Sequence, residues 1–507
     1  MHRPARTWAV IVVLITGSVL VSTPVRAQGR TLGSRYLPVD HWAYEYLQRL
    51  TARGYLPGLN PLVQPYRRLE VARGLAGLAP DTLRRPVADW VRMLRRELAR
   101  ELELLAAPAP GAFGFEVAGG ARASTSRRLD PTRPLDDGSV WPNYRVAGWF
   151  ETGPVAAETR AYGDFYFRDD PDGGDPGYDP RTFRGGRTDN AYLSVLFPFG
   201  SVDIGVLKRN WGLIGTPGMT LSDGPTPYPQ LGLELRLGRV TLRSLAAQLD
   251  TLYGLRRQFV AHRLDYRHGD LAVSLGETQL YVYPTLLIRF LNPVDLLVLN
   301  ADDDPDQNNA LTGQVWWRRG AAVFYFDGML DDIDANPGPV AEPPQYAFTV
   351  GARVTSLAPW AEGGVQYQQV GAWSYRTTPN EVGRYSHYGR GLGANYSDYD
   401  RLAVWADLYP PLSGLRITPR AVIQRQGEGD FRDPFPGGSY RGQPALFLGV
   451  VERTIRLALA GRYQPAPYAW LAWDVGPNFV RNKNHVSNAR ATDFGATVEL
   501  GIRLMLP

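Results

Sequence analysis

The chain has two parts that differ in the spacing of their hydrophobic residues. Between residues 38 and 106, apolar side chains recur every three or four positions, as in amphipathic helices. Asp40 stands where it could cap the first helix, and Gly54 follows that helix where a left-handed residue is favoured. The pattern predicts three helices, at about residues 41–50, 67–78 and 86–105.

From Phe113 to the end the period is two, which is typical of strands. One strand face carries full charges and the other carries large apolar residues. This favours a barrel with lipid outside and a wet lumen over a soluble sandwich. The alternating segments number about 16 to 20. The clearest alternation is in the last strand, at Val498, Leu500, Ile502, Leu504 and Leu506.

The predicted fold is therefore mainly β: a transmembrane antiparallel β-barrel with a small N-terminal α-helical domain. Residues 1–27 have the charged start, short apolar run and small-residue end of a cleaved signal peptide. Residues 28–110 are predicted to form a helical periplasmic domain, and residues 111–507 an outer-membrane β-barrel. The chain has no cysteine, which excludes a lipoprotein-type lipid anchor.

The net charge of the chain adds little to this prediction. The formal net charge of +5 includes three arginines of the predicted signal, and without them 52 basic residues face 50 acidic ones. That balance is not the footprint of a nucleic-acid-binding protein. Aromatic residues crowd the ends of the predicted strands, which suggests an interfacial girdle. They are Trp141, Trp149, Tyr162, Tyr166, Tyr192, Trp316, Trp317, Trp405, Tyr409, Trp470 and Trp473.

A segment near residue 210 resembles the Wzi-type capsule-assembly family, which carries a basic-Trp-Gly turn followed by a loop with Ser and Pro. The resemblance covers most of the mature chain and is densest over residues 190–330. The residues of the family-like motif are Lys208, Arg209, Asn210, Trp211, Gly212, Ser222 and Pro227.

The resemblance implies an outer-membrane barrel of about 18 strands with helices on the periplasmic side. It also implies a lectin-like role in holding capsular polysaccharide at the cell surface. The helical part has a second, partial resemblance, to a single S-layer-homology repeat. Peptidoglycan or a periplasmic protein is therefore a candidate partner for residues 38–106.

Arg209, Trp211 and Tyr228 are the candidate carbohydrate-binding residues. Sugars stack on aromatic rings through their C–H faces, and the planar fork of arginine matches the carboxylates of an acidic polysaccharide. The alternative is that this segment is a structural turn folded into the lumen.

Other chemistry is weakly indicated. His262 and His268 lack the spacing of a metal pair. His485, with Asn482 and Ser487, fits a polar loop better than a hydrolase site. The acidic loops at residues 169–175 and 302–306 do not match the calcium-binding EF-hand pattern. We therefore expect a non-catalytic protein without a metal or cofactor.

Two functions remain open. The first is binding of surface polysaccharide to assist capsule or exopolysaccharide assembly and attachment. The alternative is a porin-type channel for small solutes, tethered to the cell wall by the helical domain. The expected partners are capsular or extracellular polysaccharide, outer-membrane lipid and lipopolysaccharide, and no nucleic acid.

Overall fold

The computed structural model describes most of the chain and leaves gaps at the N-terminus and in several long connections. The predicted signal peptide and the acidic segment 302–306 lie outside the described residues. Those residues are 32–107, 111–173, 186–285, 292, 297, 307–332, 343–376, 381–433 and 443–506.

Four short helices precede the strands: α1 (Ala43–Ala52), α2 (Arg68–Ala76), α3 (Val87–Glu97) and α4 (Ala99–Ala106). The third predicted helix is broken at Leu98, whose ψ of 24° separates α3 from α4. Gly54 has the expected left-handed conformation, with φ of +80°. Within the described residues, no helix combines the length and apolar character needed to cross a membrane.

The prediction that Asp40 caps α1 is wrong. The residue that precedes the helix is Trp42, and no side chain caps it. Asp40 instead accepts hydrogen bonds from Arg160 and pairs with Arg145, both on the barrel wall. The two arginines hold Asp40 because a guanidinium offers its carboxylate a full opposite charge as well as hydrogen bonds, whereas a helix end offers backbone N–H groups alone.

Twenty strands follow in the part of the chain that the structure describes. They are β1 (Gly111–Ser124), β2 (Val140–Thr152), β3 (Val155–Asp164), β4 (Gly186–Phe197), β5 (Gly200–Val206), β6 (Pro229–Leu237), β7 (Val240–Leu252), β8 (Leu255–His268), β9 (Leu271–Val282), β10 (Gln307–Arg319), β11 (Ala322–Asp332), β12 (Gln345–Ala358), β13 (Ala361–Val370), β14 (Ser386–His387), β15 (Arg390–Gly391), β16 (Tyr399–Leu408), β17 (Leu415–Gln426), β18 (Glu452–Ala466), β19 (Ala469–Arg481) and β20 (Arg490–Leu506).

Eighteen of these strands form one closed antiparallel barrel. β1 pairs with β2 on one side and with β20 on the other, so the sheet has no free edge. β14 and β15 form a separate hairpin between β13 and β16. Closure satisfies every strand within the sheet, as a membrane requires. The predicted fold class, a transmembrane barrel preceded by short helices, is confirmed.

The outer surface of the barrel is apolar. On β20, Leu500, Ile502 and Leu504 are 52%, 60% and 62% exposed, whereas Arg503 between them is buried in the lumen. The same alternation runs through the other strands, where Phe113, Val146, Leu275, Phe324, Val404 and Leu457 are among the exposed apolar residues. A continuous outward band of this kind is the surface that lipid covers.

The predicted aromatic girdle is only partly correct. Trp317 faces outward, but most of the residues assigned to the girdle are buried inside. Their strand parity places them in the lumen, where they pack on charged side chains; Trp149, for example, has the guanidinium of Arg35 at 4.2 Å from its ring. The buried members are Trp141, Tyr162, Tyr166, Tyr192, Trp316 and Tyr409.

The two ends of the barrel differ. At one end, seven of the eight connections between strands have two residues, such as Gly153-Pro154 between β2 and β3. β1 begins and β20 ends there. Longer connections lie at the other end, including residues 207–228 between β5 and β6, and 371–398 between β13 and β16. In outer-membrane barrels the short turns lie on the periplasmic side.

We expect Leu500→Arg to destabilise the protein in lipid, because the substitution places a charge on the lipid-facing side of β20. The free energy of unfolding should fall by about 2–4 kcal/mol if the residue lies near the bilayer midplane. Urea unfolding in phospholipid vesicles, followed by tryptophan fluorescence, measures the change. Glu499→Gln, on the inner face next to it, is the matched control and should cost less than half as much. Equal effects of the two substitutions would contradict the assignment of the faces.

Candidate functional site

The helices close the short-turn end of the barrel. The amide of Gly33 donates to the carbonyl of Gly153 in the β2–β3 turn at 2.5 Å, and Arg85 donates to the carbonyl of Pro411 in the β16–β17 turn at 2.7 Å. Helix α1 lies inside this rim, against the inner wall. The helical segment, called the plug below, therefore packs into the short-turn end of the barrel.

Arginines of α1 pair with carboxylates of the wall. Arg49 Nε lies 3.1 Å from Glu362 Oε1, and its Nη2 lies 3.4 Å from Asp407 Oδ2. Arg53 reaches Glu362 Oε2 at 3.2 Å, and the hydroxyl of Tyr409 donates to Glu362 at 2.6 Å. The side chain of Glu362 has no exposed surface. Its charge is tolerated in the interior because these donors surround it.

A second set of contacts joins the plug to the strands on the far side of the barrel. Arg67 pairs with Asp203 of β5, which also accepts from the hydroxyl of Tyr36 at 2.7 Å. Glu97, at the end of α3, pairs with Arg68 at 3.0 Å and with Arg503 of β20. The plug is thus held at opposite sides of the lumen.

The long-loop end is also filled from within. Residues 207–228 fold into the barrel, where the amide of Met219 donates to Asp327 of β11 at 3.1 Å. Residues 371–376 and 381–398 fold in beside them, and Tyr375 donates to the carbonyl of Met219 at 2.6 Å. Ser222 donates to the carbonyl of Gly393 at 2.7 Å. Together these two loops bury a hydrophobic cluster inside the barrel that includes Trp211, Leu221, Tyr228, Tyr385 and Leu392.

The family-like motif lies where this loop meets the plug. Asn210 and Gln64 exchange backbone hydrogen bonds of 3.0 and 2.8 Å, and their side chains are joined at 2.8 Å. Gly212 is required by space, because a Cβ there would lie 2.6 Å from the Cα of Gly218. Lys208 lies 3.6 Å from Asp189 of β4. The motif connects the outer loop, the plug and the wall.

The three predicted carbohydrate-binding residues occupy this framework. Trp211 and Tyr228 are 3% and 5% exposed and belong to the internal hydrophobic cluster. Arg209 donates to Gln230 at 2.6 Å and to Asp203 at 3.2 Å. Pro227 precedes Tyr228 in the same loop and is partly buried. A sugar could touch Trp211 or Tyr228 only if the loop opened, so their binding role stays a prediction.

A cavity of about 680 Å³ remains in the lumen beside these loops. It lies between the plug and the wall formed by β10 to β13, β16 and β17, and it reaches Asp130 and Thr132 of the β1–β2 connection at the long-loop end. Five arginines and three carboxylates line it: Arg49, Arg353, Arg401, Arg416, Arg420, Glu45, Asp130 and Asp407. Five aromatic residues complete the charged wall: Trp316, Tyr325, Tyr396, Tyr399 and Trp405.

The arginines of the cavity are paired to different degrees. Arg401 lies 2.6 Å from Asp130, and Arg416 lies 3.2 Å from Asp407. Burial opposes ionisation of Asp130, but Arg401 and Thr132 hold the pKa of its carboxyl well below the usual range. Arg353 is the least engaged, since its nearest carboxylate oxygens are 3.9 Å away. Its guanidinium lies 5.9 Å from the ring of Trp405.

These groups suit a carbohydrate. Flat aromatic faces accept the apolar side of a sugar ring, while arginine and the amides of Gln366 and Gln368 can bond its hydroxyls or carboxylates. The volume falls within the roughly 300–1,000 Å³ of ligand sites in proteins. None of Arg209, Trp211 and Tyr228 lines this cavity, and Ser222 is the one residue of the family-like motif that does. Strand parity could have found Trp405, which shares the inward face of β16 with Asp407.

The structure also locates the weaker candidates. His262 and His268 stand on β8, six residues and about 20 Å apart, too far to share a metal. His485 contacts the carbonyl of Val450 at 2.7 Å. Asp170 and Asp172 of the acidic loop pair with Arg390 and Arg128 rather than standing free in solvent. Among the described residues, no group of three or more His, Asp or Glu could hold a metal ion.

Comparison with known proteins finds structural similarity only. No family model and no curated protein sequence matches this chain. Among solved structures, similarity is found to Wzi, an outer membrane protein involved in group 1 capsule assembly in Escherichia coli and described as a carbohydrate-binding β-barrel. The identity is 15%, the match covers 93% of this chain and 99% of that one, and the TM-score is 0.59.

Two further matches are more distant. OccD3 of Pseudomonas aeruginosa is 12% identical over 78% of this chain and 91% of its own, with a TM-score of 0.46. A loop-deletion mutant of OmpT, an outer membrane protein of Vibrio cholerae, is 11% identical over 78% and 100%, with a TM-score of 0.37. The similarity to the Wzi barrel that the sequence suggested is confirmed at the level of the fold.

We expect Arg49→Met to loosen the plug, because it leaves Glu362 and Asp407 with fewer counter-charges in the interior. Removing one partner of a buried ion pair costs about 3–5 kcal/mol. The thermal transition should fall, and conductance steps should appear when the variant is placed in a planar bilayer. Arg92→Met, which removes an exposed arginine paired with Asp89, should change the stability by at most about 1 kcal/mol. A variant at Arg49 as stable and silent as the parent would refute this role.

Low pH should weaken the ion pairs through which Glu97 fixes the plug. Burial opposes ionisation, but His41, Arg68 and Arg503 outweigh it and hold the pKa of Glu97 well below its usual range. A carboxyl whose pKa is lowered by folding stabilises the fold above the unfolded value of about 4.3 and loses that contribution as the pH falls below it. Thermal unfolding at pH 7, 5, 4 and 3 should therefore show a drop between pH 5 and 3.

Glu97→Gln is the control for this prediction. The variant should be less stable at pH 7 and should lose less stability than the parent between pH 5 and 3. Burial also lowers the pKa of His41, so both proteins should lose some stability below about pH 6.5. An unchanged drop below pH 5 in the variant would show that other carboxyls cause it.

Proposed function

We propose that this protein is an outer-membrane barrel that binds surface polysaccharide and assists the assembly or attachment of a capsule or exopolysaccharide. The observation that carries the proposal is the cavity of about 680 Å³, in which arginines and aromatic faces line a lumen that plug and loops fill. Export by the predicted signal peptide, residues 1–27, and an outer-membrane location belong to this proposal. So does a non-catalytic, lectin-like action.

The apolar outer band supports contact with outer-membrane lipid and lipopolysaccharide. The solvent-facing side of the plug is basic, since Arg73, Arg84, Arg92 and Arg96 are exposed there. Peptidoglycan or an acidic periplasmic protein would meet this side of residues 38–106.

The porin alternative predicts a different lumen. An open channel needs a continuous water-filled path, whereas here the helices and residues 207–228 meet inside the barrel through Gln64 and Asn210. This contact favours a plugged barrel over a constitutive pore. The charged inner wall alone does not distinguish the two functions.

Binding should depend on the cavity residues. We expect Trp405→Ala and Arg353→Gln each to lower the affinity for an acidic oligosaccharide about tenfold or more, because removal of a buried aromatic or arginine anchor costs roughly 1–3 kcal/mol. Trp317→Ala is the matched control, since that ring lies on the outer face beside Trp316. Calorimetry on purified protein in detergent, with oligosaccharides from the host's own capsule, gives the affinities.

Two measurements would decide between the functions. A deletion strain should release polysaccharide that the parent strain retains, without a change in the total amount secreted. The purified parent protein should be silent in a planar bilayer. A normal capsule in the deletion strain, with a stable open conductance, would overturn the proposal in favour of the porin.

A further inference from the structure

A second cavity, of about 260 Å³, lies on the opposite side of the plug. It is bounded by the residues around the start of α1 and by the inner faces of β1, β2, β3, β18, β19 and β20. Seven arginines and four carboxylates line it: Arg35, Arg68, Arg122, Arg145, Arg160, Arg462, Arg503, Asp40, Glu116, Glu158 and Glu499. His41, Trp42 and Trp470 complete most of its surface. None of the polysaccharide-binding residues proposed above lies here.

The fully buried polar atoms of this cavity that lack a hydrogen-bond partner are all donors. Four lining residues have a buried side-chain N–H without a hydrogen-bond partner: Arg35, Trp42, Arg145 and Arg160. Among the described residues that line it, no side-chain oxygen atom is both fully buried and without a hydrogen-bond partner. Buried polar groups are normally satisfied, so a row of unsatisfied donors indicates a ligand that brings acceptors.

Arg35 differs from the other arginines of the cavity. Arg145 and Arg160 pair with Asp40, and Arg122 pairs with Glu499. Arg35 is 7% exposed, and its guanidinium makes no ion pair or hydrogen bond with a carboxylate among the residues that the structure describes. It lies over the ring of Trp149 instead. Glu158 is the carboxylate that acts most strongly on its charge, and an anion in direct contact with the guanidinium would add the hydrogen bonds that Glu158 does not make.

We propose that this cavity binds a phosphate group, with Arg35 as its principal ligand. The oxygens of phosphate accept hydrogen bonds from arginine in the fork geometry that guanidinium offers, and they can also accept from the other unsatisfied donors. The site lies between the plug and the two strands that close the barrel, β1 and β20. A bound phosphate therefore links the plug to the seam of the barrel.

Glu158 supplies selectivity. Its carboxylate lines the same cavity, is 6% exposed and has no hydrogen-bond or ion-pair partner among the described residues. An ionised carboxylate only accepts hydrogen bonds. Near neutral pH phosphate retains a proton and can donate its O–H to Glu158, whereas sulfate has none to donate and would be repelled. The site should therefore prefer phosphate to sulfate.

The test is calorimetry on the full-length protein in detergent and phosphate-free buffer, with inorganic phosphate and sulfate as probes. The parent protein should bind phosphate saturably at one site and bind sulfate more weakly. Arg35→Gln should lower the phosphate affinity about tenfold or more, the loss expected for a charge-assisted hydrogen bond. Glu158→Gln should raise the sulfate affinity and remove the preference for phosphate. Arg96→Gln, an exposed arginine of α3, is the matched control and should bind as the parent does.

A second titration uses glucose 1-phosphate in place of inorganic phosphate. If the cavity accepts a phosphorylated sugar, the protein binds both compounds, and if it accepts only the free ion, the protein binds inorganic phosphate alone. Heat-modifiable gel migration shows that each variant is folded. If Arg35→Gln fails this check, the loss of anion preference in Glu158→Gln decides the question. The proposal is overturned if the parent shows no saturable phosphate binding, if Arg35→Gln or Glu158→Gln binds both anions as the parent does, or if Arg96→Gln loses as much affinity as Arg35→Gln. None of these measurements involves a polysaccharide.

Discussion

Carboxylates on the inner wall of the barrel are neutralised by arginines that come from the helices. Glu362 and Asp407 meet Arg49, and Asp203 meets Arg67. A carboxylate left alone in such an interior would carry a large desolvation cost, and these three carboxylates are stabilised by their partners from the plug. The position of the helices, the course of residues 207–228 and the shape of both cavities follow from this pairing.

The same constraint explains why the lumen is divided. The plug crosses the barrel and is fixed on opposite sides, through Glu362 on β13 and Asp203 on β5. Space remains on either side of it, and each space is lined by charged groups of the plug and of the strands beside it. One cavity combines arginines with aromatic faces, whereas the other gathers unsatisfied N–H donors around Arg35. The two spaces are chemically different because different strands face them.

The barrel could be predicted from the sequence because its signal is local. Whether Leu500 faces lipid and Glu499 the lumen is decided by parity within one strand, and the alternation is visible over a few residues. The contacts inside the lumen are not local. Arg49 and Glu362 are 313 positions apart, and no period in the sequence relates them. The candidate residues Arg209, Trp211 and Tyr228 stood out by composition, but the burial of Trp211 and Tyr228 depends on contacts with the distant residues Tyr375, Tyr385 and Leu392.

Arg503 joins the last strand to Glu97 of the plug, and it does so beside the seam where β1 meets β20. The helices come first in the chain, and the strand that carries their partner comes last. A sheet that closed around an empty lumen would leave Arg503 with Glu116 of β1 as its carboxylate partner and without Glu97. The full set of partners of Arg503 therefore exists only when the N-terminal helices are in place and β1 has met β20, so the two ends of the chain stabilise each other.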